Sequence, residues 1–125
     1  MSTKRPVILV VDDDGPILLL MRNLLREFGF DPVVANSGEA ALEAAAQQTP
    51  DLVLLDLHMP GMRGDEVVQA LRARAGLEQL PILILSGEPL DPAELRAIGA
   101  NGAVLKPFDV NELVGQIRGA IGAAA

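Results

Sequence analysis

The sequence predicts an α/β fold in which a parallel sheet of five strands, in the order 2-1-3-4-5, is covered by five helices. Short runs of Val, Leu and Ile alternate along the chain with longer segments that carry apolar residues at helical spacing. The short runs lack polar alternation, which is typical of strands buried on both faces of a parallel sheet. With 125 residues, the chain is expected to form a single domain over residues 1–125, with its core at about residues 6–121.

The first strand and helix follow a short polar start. Val7–Val11 is wholly apolar and ends abruptly in three acids, a pattern that indicates a buried strand before a loop. Apolar residues then recur at helical spacing from Ile17, and Gly29 supplies a stop for that helix. Residues 32–35 form a short second strand.

The next helix, the third strand and the third helix occupy the middle of the chain. Residues 38–48 are predicted to be helical, and either Asn36 or Ser37 caps them. Residues 52–55 repeat the pattern of a buried strand between prolines. Residues 64–75 are predicted to form the third helix.

The last two strand–helix units are shorter. Residues 82–85 are predicted to form the fourth strand, and residues 103–105 a brief fifth strand. Asp91, followed by a proline, is a strong helix start, and that helix ends near Gly99. The last helix begins at Asp109 and runs to about residue 121.

Polar residues follow four of the five predicted strands. They are the acids at positions 12–14, Asp56, Ser86 and Lys106. A flavodoxin-like sheet of this order binds ligands beyond the carboxyl ends of its strands, at the switch point between strands 1 and 3. Each residue alone could be a loop acid, a cap, a turn residue or an exposed lysine. Their combination at one edge predicts a functional site.

The residue types at this edge favour phosphoryl chemistry. Clustered carboxylates repel one another, and Mg²⁺ relieves that repulsion while it also binds phosphoryl oxygens. A carboxylate attacks phosphorus only where the charge on the phosphoryl group is neutralised. Mg²⁺ and the ammonium of Lys106 can supply that neutralisation, and the hydroxyl of Ser86 can donate a hydrogen bond to a phosphoryl oxygen. The labile acyl phosphate suits a switch better than a permanent mark.

The chain resembles the receiver domain of two-component response regulators, in the stand-alone form of chemotaxis regulators. The motifs that carry the resemblance are VILVVDDD, DLVLLDLHMPGM, ILILSG and GANGAVLKPF, in the order of that family. The resemblance covers about residues 6–121, which is nearly the whole chain.

The resemblance implies a metal site made of four residues. Asp13 would ligate Mg²⁺ directly, and Asp12 would act mostly through metal-bound water. Asp56 would be both phosphoacceptor and ligand, and the backbone carbonyl of His58 would be a further ligand. His58 itself is not the phosphodonor, because it lies in the loop after the acceptor.

The resemblance also implies how the phosphoryl group is held and sensed. Ser86 would move toward it, Lys106 would pair with one of its oxygens, and the peptide bond before Pro107 would be cis. The family usually has Tyr or Phe three residues before the lysine, where this chain has Ala103. We therefore expect the change that follows phosphorylation to be smaller or differently located across helix 4, strand 5 and helix 5.

The partners implied are a histidine kinase or a histidine phosphotransfer protein as donor, and a downstream protein of unknown identity. If the chain ends at Ala125, its output is expected to act through protein binding alone; if it is a fragment, the nature of the missing part is open. A homodimer through helices 4 and 5 is one option, since their apolar residues face either a partner or the core. Those residues are Leu95, Ile98, Val110 and Leu113.

Composition excludes other classes of function. The absence of cysteine excludes disulfides and thiolate chemistry. A net charge of −7 argues against nonspecific binding to nucleic acid or anionic membranes. The basic pairs Lys4–Arg5 and Arg72 with Arg74 are interpreted as solvated surface. No apolar run approaches the length of a signal peptide core or a membrane span, so we expect a cytoplasmic protein with neither DNA nor membrane as partner.

Two other functions fit parts of the pattern. A haloacid-dehalogenase-type phosphohydrolase also uses an acidic D-x-D sequence after a buried strand, but it needs a second acidic pair after the lysine. Here only Asp109 and Glu112 follow, and both fit a helix start. A receiver-like interaction module that is never phosphorylated is the other alternative. We expect a self-phosphorylating switch rather than an enzyme that turns over a separate substrate.

Overall fold

Five strands and five helices alternate in a computed structural model that describes residues 4–59 and 61–124. The strands are β1 (Val7–Val11), β2 (Asp31–Ala35), β3 (Leu52–Asp56), β4 (Ile82–Ser86) and β5 (Gly102–Leu105). The helices are α1 (Gly15–Glu27), α2 (Gly38–Gln47), α3 (Gly64–Arg72), α4 (Pro92–Ile98) and α5 (Val110–Ala124).

The strands form one parallel sheet in the order β2-β1-β3-β4-β5, which confirms the predicted fold. In the register of this sheet, Asp56 lies opposite Leu85, and Ser86 lies opposite Leu105. The carboxyl ends of the strands therefore share one edge, and the strand order reverses between β1 and β3. This is the edge to which the sequence assigned its polar residues.

The core is aliphatic and lies on both faces of the sheet. Every residue of β1, β3 and β4 is buried, as expected for central parallel strands. Helices α1 and α5 cover one face, and α2 and α3 cover the other. Helix α4 also packs on the second face, but only through partly buried side chains, and none of its residues is fully buried. Helix α4 is therefore the helix that contributes no buried residue to the core.

The predicted boundaries differ from the observed ones by a few residues. Strands β3 and β4 each extend one residue further, so Asp56 and Ser86 are their last residues. Ser37, not Asn36, caps α2, because its hydroxyl accepts a hydrogen bond from the backbone N–H of Ala40 at 3.1 Å. Helix α3 ends at Arg72, and turns occupy the three residues that were predicted to be helical after it.

The apolar residues of α4 and α5 for which a homodimer interface was considered differ in burial: some lie in the core and others are exposed. Leu113 is buried in the core on the face covered by α1 and α5, whereas Leu95 and Ile98 are partly buried and pack against the core on the opposite face. Val110 is 36% exposed and Leu105 is 48% exposed. None of the helices in residues 4–59 and 61–124 has both the length and the apolar character that crossing a lipid bilayer would require.

Candidate functional site at the carboxyl edge of the sheet

Three carboxylates converge where β1 and β3 end. One carboxylate oxygen each from Asp12, Asp13 and Asp56 lies within 4.8 Å of the others. Asp12 and Asp56 are 1% and 5% exposed, whereas Asp13 is exposed. The sheet explains the convergence, because β1 and β3 are neighbours and both run toward the same edge. The sequence placed all three residues here correctly.

Lys106 reaches the same cluster from the end of β5. Its ammonium Nζ lies 3.3 Å from Oδ2 of Asp12 and 3.7 Å from Oδ2 of Asp56. The lysine side chain is 25% exposed, so its charge is partly shielded from water. The peptide bond between Lys106 and Pro107 is cis, as the resemblance implied.

Local turns orient the two buried carboxylates. Oδ1 of Asp56 accepts a hydrogen bond from the backbone N–H of His58 at 3.0 Å, and Oδ1 of Asp12 accepts one from the N–H of Asp14 at 3.0 Å. In each carboxylate, Oδ1 accepts a hydrogen bond from the loop that follows the strand, and Oδ2 faces the ammonium of Lys106. Asp14 itself caps α1, since its Oδ1 accepts from the N–H of Ile17 at 3.3 Å.

The electrostatic balance of the site raises the pKa of Asp56. Burial is the largest cause, because it disfavours the ionised form, and the negative charge of Asp12 acts in the same direction. The N–H of His58 and the ammonium of Lys106 lower the pKa but do not outweigh burial. With three carboxylates and one ammonium, the ionised site carries an excess of negative charge that a divalent cation would neutralise.

Ser86 lies at the end of β4, buried at 3% exposure. Its hydroxyl donates to the backbone carbonyl of Glu88 at 2.5 Å and accepts from the N–H of Glu88 at 3.1 Å. The hydroxyl is therefore engaged with its own loop. Ala103 lies opposite Ile84 in the neighbouring strand and is partly buried, so a methyl group occupies the position at which the resemblance implies an aromatic ring.

The donor set fits Mg²⁺. Three carboxylates supply the hard oxygen ligands that this ion prefers, and one of them is exposed enough for metal-bound waters. The backbone of His58 lies in the same loop, two residues after Asp56. Among the described residues, the cluster contains carboxylates and no histidine, and the chain has no cysteine, so the donor set suits a hard cation better than zinc.

One interpretation from the sequence is wrong. Arg72 was expected to be solvated, but its guanidinium is partly buried and donates hydrogen bonds to Gly99, Leu80, Glu78 and Asn101. Four of these five bonds are accepted by backbone carbonyls. Because every residue has such a carbonyl, the sequence pattern could not predict these bonds. The amphipathic spacing of α3 placed Arg72 beside the core but could not show which carbonyls would meet it.

Comparison with known proteins gives a consistent result. Residues 8–118 match the family described as response regulator receiver domain. The DNA-binding response regulator MtrA of Mycolicibacterium smegmatis is 42% identical over 120 residues, which cover 94% of this chain and 51% of MtrA. The chain thus spans about half the length of this curated relative.

Solved structures of high similarity are receiver domains. The chemotaxis protein CheY4 of Vibrio cholerae superposes with a TM-score of 0.88 at 31% identity, covering 94% of this chain and 99% of that one. The receiver domain of the sensor histidine kinase PA1611 of Pseudomonas aeruginosa superposes with a TM-score of 0.86 at 26% identity, covering 95% and 99%. That structure has a magnesium ion coordinated in its active site cleft.

The expectation that DNA is no partner is contradicted by these relatives, since MtrA is a DNA-binding response regulator. The expectation rested on the net charge of −7, which describes only these 125 residues. The match covers about half of MtrA, so the charge of this half says nothing about the rest of such a protein. DNA binding by this chain is not shown either.

Proposed function

Since this chain belongs to the response regulator receiver domain family, we propose that it is a switch that accepts a phosphoryl group from a phosphohistidine donor on Asp56. One observation carries the assignment of the acceptor. Asp56 is the buried last residue of β3, and charged and polar groups surround it: a carboxylate oxygen each of Asp12 and Asp13 within 4.8 Å, the ammonium of Lys106 at 3.7 Å and the backbone N–H of His58 at 3.0 Å.

The transfer exchanges one phosphorus bond for another. An oxygen of ionised Asp56 forms a bond to phosphorus, while the bond from phosphorus to the imidazole nitrogen of the donor breaks. That nitrogen keeps the electron pair, and the donor histidine is left neutral or takes up a proton. Asp56 must be ionised to attack; burial raises its pKa in the metal-free site, and the ammonium of Lys106 opposes that rise.

Lys106 and the acid cluster neutralise charge at the phosphoryl group. The ammonium of Lys106, 3.7 Å from Asp56, is close enough to move onto a phosphoryl oxygen once Asp56 carries the phosphoryl group. Mg²⁺ would be held by Asp12, Asp13, Asp56 and the carbonyl of His58, and when bound it supplies positive charge to the phosphoryl oxygens.

Ser86 is proposed to sense the phosphoryl group. To donate to a phosphoryl oxygen, its hydroxyl must leave the carbonyl of Glu88, which it now contacts. Phosphorylation would therefore cost the loop after β4 at least one hydrogen bond. Ala103 has only a methyl group, so no ring is present at this position of β5 to rotate. We therefore propose that phosphorylation changes the conformation of the loop after β4.

The chain is proposed to modify itself rather than to turn over a separate phosphate ester. The acid that would complete a phosphohydrolase site after Lys106 is used elsewhere. Asp109 begins the last helix, and its Oδ1 accepts a hydrogen bond from the N–H of Glu112 at 3.0 Å. Asp109 and Glu112 are therefore accounted for by the start of α5, where Asp109 is the cap.

Mass measurement after incubation with acetyl phosphate and Mg²⁺ tests the acceptor. We expect the wild type to gain the mass of one phosphoryl group, and Asp56→Asn to gain none. Asp31→Asn, which changes an exposed acid at the start of β2, is the matched control and should be labelled like the wild type.

Two results would contradict the proposal. Labelling of Asp56→Asn would place the acceptor on another residue. Absence of label on the wild type, together with no effect of fluoroberyllate on its amide resonances, would identify an interaction module that is never phosphorylated.

A further inference from the structure

The guanidinium of Arg72 has all five of its N–H donors engaged. Nε and Nη2 donate to the carbonyl of Gly99 at 3.0 and 2.8 Å, and Nη2 also donates to Oδ1 of Asn101 at 3.0 Å. Nη1 donates to the carbonyls of Leu80 and Glu78 at 2.9 and 3.1 Å. A planar fork with five donors is the one side chain that can satisfy this set.

These bonds tie the end of α4 to the rest of the fold. Gly99 is the residue that ends α4, and its positive φ of 91° turns the chain away from the helix. Asn101, which precedes β5, also accepts from the backbone N–H of Ile82 at 2.8 Å. Arg72 therefore joins the end of α3, the start of β4 and the C-terminal end of α4.

The other end of α4 has no comparable attachment among the described residues. Its capping box is internal, since Asp91 and Glu94 bond to each other's backbone N–H groups. The loop that leads to it is held through the two hydrogen bonds between Ser86 and Glu88. Helix α4 has no fully buried residue, and five hydrogen bonds from Arg72 hold the region of its C-terminal end. The N-terminal end is attached only through the loop before it, by the bonds between Ser86 and Glu88 and the partial packing of Leu90.

We propose that Arg72 is a positioning residue that fixes the C-terminal end of α4, so that the helix tilts about this end when Ser86 releases Glu88. The direction of signalling rests on the proposed function, because the release requires a phosphoryl group at Asp56. The attachment itself does not, because the five bonds exist in the unphosphorylated fold. The element that would move is the N-terminal half of α4 with the loop before it, around residues 88–94.

Amide hydrogen exchange on the unphosphorylated protein tests the attachment. In Arg72→Met we expect the amides of Gly99 and Ala100, which close the last turn of α4, to exchange about tenfold faster, as the loss of a net hydrogen bond at a helix end allows. Arg74→Met is the matched control, since Arg74 makes no side-chain hydrogen bond among the described residues, and it should leave these amides within about twofold. Equal exchange in both variants would overturn the attachment.

Amide chemical shifts with fluoroberyllate and Mg²⁺ test the tilt. In the wild type, the shifts outside the site should be largest over residues 88–94 and small over residues 99–101. In Arg72→Met, the shifts should extend through residues 99–101, because that end is then free to move. Arg72→Lys keeps the charge but not the fork and should behave like the methionine variant, which a role through charge alone would not produce.

The outcomes separate this inference from the proposed function. Wild-type shifts as large at residues 99–101 as at residues 88–94 would overturn the tilt while leaving phosphorylation intact. Failure of fluoroberyllate to shift any amide would overturn the tilt and the proposed function together. Hydrogen exchange in Arg72→Met would still decide whether Arg72 holds the helix end.

Discussion

At the scale of single residues, the site is built from charges that the fold holds at a cost. Asp12 and Asp56 are buried side by side, with one ammonium between them and a third acid at the rim. Water would solvate these groups better than the sheet edge does. The fold tolerates the cluster because each buried acid is bonded to a backbone N–H two residues further on.

The raised pKa of Asp56 makes stability depend on pH. The folded state binds the proton of this carboxyl more tightly than the unfolded chain does, so the free energy of unfolding falls as pH rises from the ordinary aspartate pKa through the raised one. Asp56→Asn removes this loss. Without Mg²⁺, we expect the variant to be more stable than the wild type at neutral pH and to approach it below the ordinary aspartate pKa.

Urea unfolding followed by far-ultraviolet circular dichroism measures this difference, since the chain has no Trp or Tyr for fluorescence. Asp31→Asn, which keeps Asp56, should keep the wild-type dependence of stability on pH. A variant at position 56 that is less stable than the wild type at neutral pH would show that the bonds to Lys106 and His58 outweigh burial.

The sequence predicted the acids, Ser86 and Lys106 because each follows a strand that its apolar pattern reveals. It did not predict the contacts of Arg72, for which the partners are backbone carbonyls. It also did not show that the hydroxyl of Ser86 is engaged with Glu88. Residue type and strand position determine which groups meet, whereas the loop conformation determines which atoms bond.

At the scale of helices and strands, the close packing of α2 on α3 depends on Gly38. A Cβ atom at this position would lie 2.8 Å from Cγ2 of Val67 and 2.9 Å from Cβ of Met62. Val67 is fully buried, so it has little room to move. The two helices could not approach as they do with a larger residue here.

Gly38→Ala is expected to lower the free energy of unfolding by about 1–3 kcal/mol, the range for an extra methyl group in a close-packed site. The matched change is Gly115→Ala in the interior of α5, where a Cβ would meet nothing within 4 Å. It should raise the free energy of unfolding by about 0.5–1 kcal/mol, because alanine loses less backbone entropy. Urea unfolding measures the free energy of unfolding of both variants. A Gly38→Ala variant as stable as the wild type would contradict this account of the packing.

The order and type of all ten elements followed from the sequence, and only their ends differed. Apolar periodicity reports the buried middle of an element, which is why β1 was placed to the residue. Ends depend on hydrogen bonds that two neighbouring residues can supply equally well, as Asn36 and Ser37 show. Helix α3 stops at Arg72 because the chain must turn there to bring Leu77 and Leu80 into the core.

At the scale of the whole molecule, a bound cation would link the site to global stability. A ligand that binds only the folded chain stabilises it by mass action. In the absence of the cation, the acid cluster destabilises the fold by mutual repulsion. Apo and Mg²⁺-bound molecules should therefore differ in melting temperature.

Asp13→Ala separates these two effects. We expect the apo variant to be more stable than the wild type by up to about 1 kcal/mol, because an exposed charge is removed from beside two like charges. Its Mg²⁺ affinity should fall at least about tenfold, so that Mg²⁺ raises its melting temperature less.

Thermal unfolding over a series of Mg²⁺ concentrations measures both effects. Glu43→Ala, an exposed acid on α2, is the control and should keep the wild-type response to Mg²⁺. A drop in the melting temperature of apo Asp13→Ala would show that this acid supports the fold by other contacts.

The distance along the chain between the residues that meet at the site has a further consequence. Asp12 and Lys106 are 94 residues apart, and the proposed acceptor reaches both of them only when β1, β3, β4 and β5 are paired. A nascent or partly melted chain would offer Asp56 as an ordinary solvated carboxylate. The phosphodonor would then transfer its phosphoryl group only to folded copies of the chain, and partly unfolded copies would remain unphosphorylated.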